Sequence, residues 1–429
     1  MRILILGANL AGLLSALQMR RQGHEVNVLV HGPEGAYQTA PPLVLTDPGP
    51  WGTPQGALST LWALLNDRGD LRCGQDGLGQ LGWLMRCLGR RSGGGARSQA
   101  LRAVALARRS QQAFHEMQGS VLHLQEPQPV TMLCVHTSAR AARQQQQRGP
   151  MWHLGTPPTL ARMSTENLGL PQLDATRAQA SSALQSEGWM LGDGAAVLAD
   201  LRHQLVQQGV RFLYDQTIDG VEHTGQHIHA VTLRGTLNLA DEVDCDLVVA
   251  ASYPAAQPLL RAVGLKPDLA PMSRLSLQVT LPEGAATPLY IHDLASGTRL
   301  IRQGRTLWAH GPTWLGEPDS PQPQEVGPLS VAVSRYFGQD WAPTNDQPLR
   351  QTSWVAPDGL PLVSRTPTRN LLLNLGHHSA SAALAFGAAA QLRTLMDTRQ
   401  SSRPTPAIPT PWSHSASPLA TSTQGSRHD

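Results

Sequence analysis

Lysine is nearly missing from this 429-residue chain: Lys266 is the only one, so almost all of its positive charge is arginine. With 34 basic against 31 acidic residues the balance is only +3, and no basic arm is concentrated anywhere, which argues against nucleic acid as the main partner. Cysteine is scarce and scattered. Cys73, Cys87, Cys134 and Cys245 form no C-x-x-C pair and no cysteine/histidine cluster at zinc spacing, so a reducing compartment fits and a structural metal does not. Aromatic residues make up only 4%, leaving few stacking partners for a flat ligand, and Trp308 and Trp314 receive no role from their positions. No stretch reaches the roughly 18 uninterrupted apolar residues that a membrane-spanning helix needs. What is present suffices for a core: 41% hydrophobic residues at a mean hydropathy of −0.23. Against a prior of about 100–200 residues per domain, the length predicts two intertwined or sequential domains.

Residues 2–6 (RILIL) and 26–30 (VNVLV) are short apolar runs, with Leu10, Leu13, Leu14 and Leu17 at helical spacing between them, so the chain opens as a βαβ unit. Gly7, Asn9 and Gly12 interrupt the apolar opening and no clean cleavage site follows, which sets it apart from a secretory leader. Residues 31–60, rich in Gly, Pro and Thr, read as a long excursion. Helices are expected over 76–90 and 96–118, the second with arginines on its outer face, then a strand at 130–135 and a solvated loop around the glutamine run Gln144 to Gln147. From 188 the pattern predicts a helix over 195–208, the strand GVRFLY, the ladder-like segments HIHAVTL and TLNLADEV, and an apolar strand at 246–252 returning to the first sheet. Between 275 and 338 the segments LSLQVTL, RLIRQ, RTLWAH and LSVAVSRYF alternate with Gly/Pro turns, an antiparallel signature. The strand NLLLNL at 370–375 leads at Gly376 into an Ala/Leu-rich helix to 397, and the Ser/Thr/Pro-rich remainder reads as disordered.

The loop Gly7-Ala8-Asn9-Leu10-Ala11-Gly12 follows a strand and opens a helix, the context that gives a glycine-rich loop meaning. A dinucleotide loop needs a tight turn at its first glycine, close backbone approach to a pyrophosphate at its second and close helix–strand packing at its third. Gly7 and Gly12 meet the outer demands, while Asn9 puts a side chain where the phosphate sits. The second strand of such a site usually ends in an acid for the ribose hydroxyls; here Val30-His31 stands there, with Glu25 at the strand's start and Glu34 beyond it. A plain βα turn of a doubly wound sheet is the alternative reading. Near the other end, Pro357-Asp358-Gly359 taken alone is a turn. The helix expected from Gly376 would present backbone N–H groups to an anionic ring or phosphate, with His377, His378 and Ser379 beside it and no metal pair or catalytic dyad among them.

Taken in order, MRILILGANLAG with GHEV, GWMLGDGAAVLADL with GVRFLYDQTIDGV, DLVVAASYPAAQPLL and APDGLPLVSRTPTRNLLLNLGHHS resemble the FAD-dependent D-amino-acid oxidase (DAO) superfamily over most of the chain. The resemblance is strongest to the small flavin-carrying subunits of bacterial D-amino-acid dehydrogenases. It implies an α/β fold: a Rossmann-like, doubly wound FAD-binding domain with an antiparallel-sheet substrate domain. The implied segments are 1–60, 188–270 and 346–398 for the FAD domain, 61–187 for a helical and substrate-side part, 271–345 for the antiparallel substrate domain and 399–429 for the tail. By resemblance, Gly7, Asn9, Leu10, Ala11 and Gly12 hold the FAD pyrophosphate, His31 occupies the ribose position and Ile218 offers backbone to the adenine. Ala251 and the segment Gly376, His377, His378 and Ser379 line the flavin. The implied reaction moves the substrate α-hydrogen as hydride to the flavin, giving an imino acid that hydrolyses, with electrons passing to a respiratory acceptor. A cytoplasmic place, with peripheral contact at an inner membrane, is compatible because such contact needs no spanning helix.

The departures are as specific as the matches. Where the family carries an arginine in the strand before P-D-G, a bidentate clamp for a carboxylate, this chain has Ser353, and Arg350 falls on the opposite face of a regular strand. Pro41 and Pro42 remove N–H donors from the loop after the second strand, and His378 replaces the usual glycine before the small-residue helix. Two functions follow: an FAD-dependent oxidoreductase acting on the C–N bond of a small amine or amino acid, or a non-catalytic paralogue that keeps the fold with weakened or lost FAD binding. A nicotinamide-dependent dehydrogenase rests on the first thirty residues alone and ranks last.

Overall fold

Buried runs and glycine turns set the elements of the computed structural model. It describes residues 1–31, 40–47, 57, 60–61, 64, 69–73, 75–118, 124, 126–136, 138–148, 159–162, 182–235, 240–316, 323–344, 348–378 and 382–400. The chain opens with β1 (Arg2–Leu6), α1 (Leu10–Arg21), β2 (Glu25–Leu29) and β3 (Leu43–Val44). There follow β4 (Leu71–Cys73), α2 (Leu81–Arg90), α3 (Gly95–Met117), β5 (Gln128–His136), α4 (Ala139–Arg148), β6 (Thr159–Arg162) and β7 (Ser182–Leu191). The middle holds α5 (Gly194–Gln207), β8 (Arg211–Leu213), β9 (Gln216–Thr224), β10 (His227–Gly235), β11 (Ala240–Asp244), β12 (Leu247–Ala250) and α6 (Tyr253–Ala262). The last part contains β13 (Ala270–Asp293), β14 (Thr298–Leu315), α7 (Pro323–Phe337), β15 (Ala342–Pro343), β16 (Leu349–Val355), β17 (Leu362–Arg365), β18 (Leu371–Leu375) and α8 (Ala382–Gln400).

One sheet runs β17-β18-β12-β1-β2-β8, parallel throughout except for the edge strand β17. A parallel sheet is covered on both faces, so its strands read as unbroken apolar runs. Alternation still sorts them: Ile3, Ile5, Val26 and Val28 pack with α1, α5 and α8, while Leu4 and Leu6 face α6 and the three-stranded sheet β11-β10-β9. In chain order the parallel strands lie 3-2-1-4-5, so the order reverses between β1 and β12. Ligands of open α/β sheets bind outside the carboxyl ends of the strands at such a reversal. This is the expected doubly wound sheet.

The second sheet runs β3-β7-β5-β13-β14-β4, with β15 and β16 paired to β13 and β6 to β7. Its centre is the long antiparallel hairpin β13–β14, and the β13–β5 and β14–β4 pairs are parallel. Three local expectations are corrected. LSVAVSRYF belongs to α7, not a strand: Leu329, Ala332, Val333, Tyr336 and Phe337 are buried at helical intervals against β13 and β14, and the valines suggested a period of two that packing does not use. The glutamine run lies in α4, where Ala, Arg and Gln favour a helix and the Ser138 hydroxyl accepts the Ala141 N–H. Gly376, at φ +80°, makes a turn after β18, and helix α8 is described only from Ala382. Ser379 and the tail from 401 lie outside the described residues.

Candidate active site

The reversal point of the parallel sheet is built from the ends of β1 and β12. The Ala251 and Ser252 N–H groups both donate to the Leu6 carbonyl, at 3.0 and 2.8 Å. Gly7 turns there at φ +116°, and a Cβ on it would lie 2.3 Å from Ser252 Cβ; one on Gly12 would lie 1.9 Å from the Gly7 carbonyl. Both glycines are therefore required by contact. Asn9 caps α1 in an unexpected way. Its Oδ1 accepts the Gly12 N–H at 2.9 Å, while its Nδ2 donates to the Ala251 carbonyl at 3.0 Å, so one side chain spans the reversal point. The Leu10 and Ala11 N–H groups have no intramolecular partner among the described residues. Donors at a helix N-terminus suit a phosphate, and the site fits FAD with one N–H already taken by Asn9. At the end of β2, Val30 is buried and His31 exposed. Ile218 on β9 packs its side chain with Leu4, Leu6 and Leu29.

The C-terminal segment meets this crevice from the neighbouring strand. Asn374 on β18 donates to Ser15 Oγ of α1 at 3.0 Å, and its Oδ1 bonds His377 Nε2 at 2.8 Å. Burial holds His377 down to about 4. His378 is held down to about 3 by burial and then by the nearby Arg274 guanidinium. Past His378, Ala382 at the start of α8 lines one cavity with residues of β13, β14 and β16, which sets the carboxyl edge of the parallel sheet beside the second sheet. Between them lies a cavity of about 50 Å³, walled by Pro41, Pro42 and Leu43, by the start of α8 at Ala382, and by Asp47, Arg274, Tyr290, Arg299, His310 and Gln351. It has room for a group of a few heavy atoms.

The cavity's charges are buried and ordered. Arg299, 2% exposed, pairs with Asp70 at 3.1 Å and Asp47 at 3.6 Å; the Tyr290 hydroxyl donates to Asp47, and His292 Nε2 bonds Asp70 at 2.8 Å. Burial alone would raise the Asp70 pKa, but Arg299 and His292 hold it well below the usual carboxylate range. Arg274, 4% exposed, differs in having no carboxylate within ion-pair distance among the described residues: its Nη2 donates to Thr313 Oγ1 at 2.9 Å, and its Nε, like that of Arg299, is buried without a hydrogen-bond partner. Burial and then Arg299 lower it to about 10, still charged at neutral pH. His310 gives its Nδ1 to Ser276 Oγ at 2.7 Å and stacks on Trp308, leaving Nε2 for a ligand. Burial, Arg274 and Arg299 bring it down to about 3, so it stands neutral.

The structure thus brings Gly7, Asn9, Gly12 and Ala251 together, and sets Gly376, His377 and His378 on the adjoining strand end. Ser353 lies on β16 opposite Met272, two residues from the cavity-lining Gln351 and on its face. Arg350 points the other way, to Ser273 Oγ at 3.2 Å. Asp47, Arg274, Tyr290, Arg299 and His310 escaped the sequence reading. Their signal was charge inside strands: Arg274 and Arg299 interrupt runs whose other members are apolar or small, SRLSL and TRLIR, and a buried strand carries an arginine only with a reason.

Comparison with known proteins agrees with this architecture. The family model DAO, described as FAD dependent oxidoreductase, matches residues 2–395. Among solved structures, L-proline dehydrogenase from P. horikoshii superposes with a TM-score of 0.64 at 12% identity, covering 93% of each chain. Iminodiacetate oxidase from Chelativorans sp. BNC1 gives 0.63 at 13% identity, covering 92% of this chain and 95% of the other. Glycine oxidase from Geobacillus kaustophilus gives 0.61 at 16%, again covering 92% and 95%. At such identities these likenesses speak for the fold.

Proposed function

The chain belongs to the family of FAD dependent oxidoreductases, and on that premise we propose that it oxidises the C–N bond of a small amine or amino acid, in the manner of a D-amino-acid dehydrogenase. The observation that carries the reading is the charged cavity beside the carboxyl edge of the parallel sheet, lined by Asp47 after β3, by Arg274, Tyr290 and Arg299 of the second sheet and by Ala382 at the start of α8. FAD, when bound, supplies the two-electron acceptor. The protein's part is to hold cofactor and substrate: the Leu10 and Ala11 N–H groups, above the close turn that Gly7 and Gly12 permit, would receive the cofactor's phosphates, and the cavity would orient the substrate carbon. The names of similar folds, which include a proline dehydrogenase, an iminodiacetate oxidase and a glycine oxidase, agree with a small substrate bearing nitrogen. A cytoplasmic place, peripheral to a membrane that holds the electron acceptor, completes the reading.

The test is the visible spectrum of the purified protein before and after incubation with excess FAD, followed by a screen of D-amino acids and secondary amines with an artificial electron acceptor. Bound flavin that bleaches with one of these substrates is the expected result. Flavin that binds and is reduced by none of them overturns the proposed reaction. The second reading, a paralogue with weakened FAD binding, is favoured by one observation, the Asn9 bridge across the reversal point. It predicts no retained flavin after gel filtration.

A further inference from the structure

The outer layer formed by α2 and α3 carries one sign of charge. Between Asp76 and Glu116 the chain has seven arginines and no acidic residue, in a protein whose totals are 34 basic and 31 acidic. Helix α3 buries Ala96, Ala100, Ala103, Ala107 and Phe114 and turns the stripe Arg97, Leu101, Ala105 and Arg108 outward. A solvated helix face gains from carboxylates one turn away from its arginines, and this stripe has none. Arg97 and Arg108 have no carboxylate within ion-pair distance among the described residues. Arg90 at the end of α2 and Arg102 on α3 both reach Asp358, at 3.4 and 3.6 Å, so the two helices flank one turn and share one side of the molecule. On α2 two large apolar side chains stand one turn apart in solvent, Leu81 at 50% and Met85 at 66% exposure, and Leu101 adds a third among the arginines of α3.

The far side of the molecule has the opposite charge. Helices α3 and α8 cover the face of the parallel sheet that carries Ile3, Ile5, Val26 and Val28, whereas β9, β10 and β11 cover the face of Leu4 and Leu6. That three-stranded sheet exposes Asp219, Glu222, Asp241, Glu242 and Asp244. A chain close to neutral overall is thus a dipole, which a negative surface turns so that α2 and α3 meet it. The exposed apolar side chains select among negative surfaces. A nucleic acid has no place for Leu81 and Met85, and the acidic sheet of a second copy would set them against carboxylates. Anionic lipid takes both components at once, headgroups against guanidinium groups and apolar side chains at the acyl boundary.

We propose that the outward faces of α2 and α3 are a docking surface for an anionic lipid bilayer, with Arg97, Arg102 and Arg108 at the headgroups and Leu81, Met85 and Leu101 inserted beside them. This rests on the peripheral place proposed above and names the face that makes the contact. The acidic sheet then points away from the bilayer.

The test is flotation of the full chain with vesicles of phosphatidylglycerol mixed with phosphatidylcholine, and with vesicles of phosphatidylcholine alone, at low and high salt. The protein should float with the anionic vesicles at low salt and be released as salt screens the arginines. The double variant R97Q/R108Q should bind roughly 30-fold more weakly, about fivefold for each charge removed near the surface. Met85→Ser should weaken binding roughly tenfold by removing an inserted side chain. All three side chains are exposed, so Tm should stay level. On the far side, D241N/E242Q should leave vesicle binding unchanged. Equal binding to both kinds of vesicle, binding to neither, or full binding by R97Q/R108Q overturns the proposal. Larger species that form at low salt and disperse in D241N/E242Q overturn it in favour of a second copy, and a tighter complex with transfer RNA that ignores Met85→Ser overturns it in favour of nucleic acid. Protein that floats as expected but whose flavin no amine reduces leaves the docking surface standing and removes the proposed reaction instead; flavin reduction without flotation does the reverse.

Discussion

Both ends of the Asn9 amide are engaged by the protein's own backbone, so a dinucleotide entering the crevice meets a closed bridge. Asn9→Gly removes the bridge and frees the Gly12 N–H. Fluorescence titration of the apoprotein should show FAD bound at least tenfold more tightly, roughly the value of one charge-assisted hydrogen bond. An acid at His31 should add to the gain by supplying a ribose partner. The two buried arginines of the hairpin separate by a different measurement. Arg299→Met strands Asp47 and Asp70 as uncompensated buried carboxylates and should cost about 3–5 kcal/mol in urea unfolding. Arg274, which ends on Thr313 Oγ1 and lies in the field of the same two aspartates, should cost less when replaced.

At the scale of elements, the approach of α8 to α3 positions the cavity's edge. Gly387 sits where they touch: its N–H donates to Ser110 Oγ at 3.0 Å, and a Cβ there would lie 2.6 Å from the Leu106 carbonyl. Gly387→Ala must push the helices apart. The expected cost is about 1–3 kcal/mol, read by thermal unfolding, with weaker ligand binding because Ala382 at the start of α8 lines the cavity. Elements of this kind were legible in the sequence wherever one rule governed them. The βαβ opening, α5 and the parallel strands β12 and β18 follow from unbroken apolar runs and helical spacing. The α7 segment did not, because Val331 and Val333 favour a strand by propensity while the packing of Leu329, Val333 and Phe337 follows the helix. The site was half legible. Gly7, Asn9 and Gly12 are adjacent in sequence and declared themselves, but the residues of the cavity come from β13, β14 and β16 and the turn after β3, and only strand register brings them together.

For the whole molecule, the buried neutral histidines set the pH range of stability. His310 and His378 are held to about 3 and His377 to about 4, all below the ordinary 6.5, because burial disfavours the imidazolium. Below pH 6.5 the unfolded chain therefore binds more protons than the folded one, so stability is fully present above that value and is lost as pH falls toward 3–4. Each histidine contributes a slope of about 1.4 kcal/mol per pH unit in that window. Denaturant midpoints measured from pH 8 to pH 5 should be flat above 6.5 and fall below it. Glutamine at 310 should flatten the fall.

The ion pairs of the cavity also bear on the rate at which the fold forms and comes apart. Asp70 and Arg299 are 229 residues apart along the chain, and Asp47 and Tyr290 are 243 apart. Contacts that close loops of this length are made after the local hairpin and the βαβ units, once most of the chain's entropy has been given up. Their expected contribution to the rate-limiting ensemble of folding is therefore small. Weakening them should leave the refolding rate almost unchanged and speed unfolding, so the ion pairs act as a kinetic clasp that ties the turn after β3 and the entry to β4 to the central hairpin β13–β14.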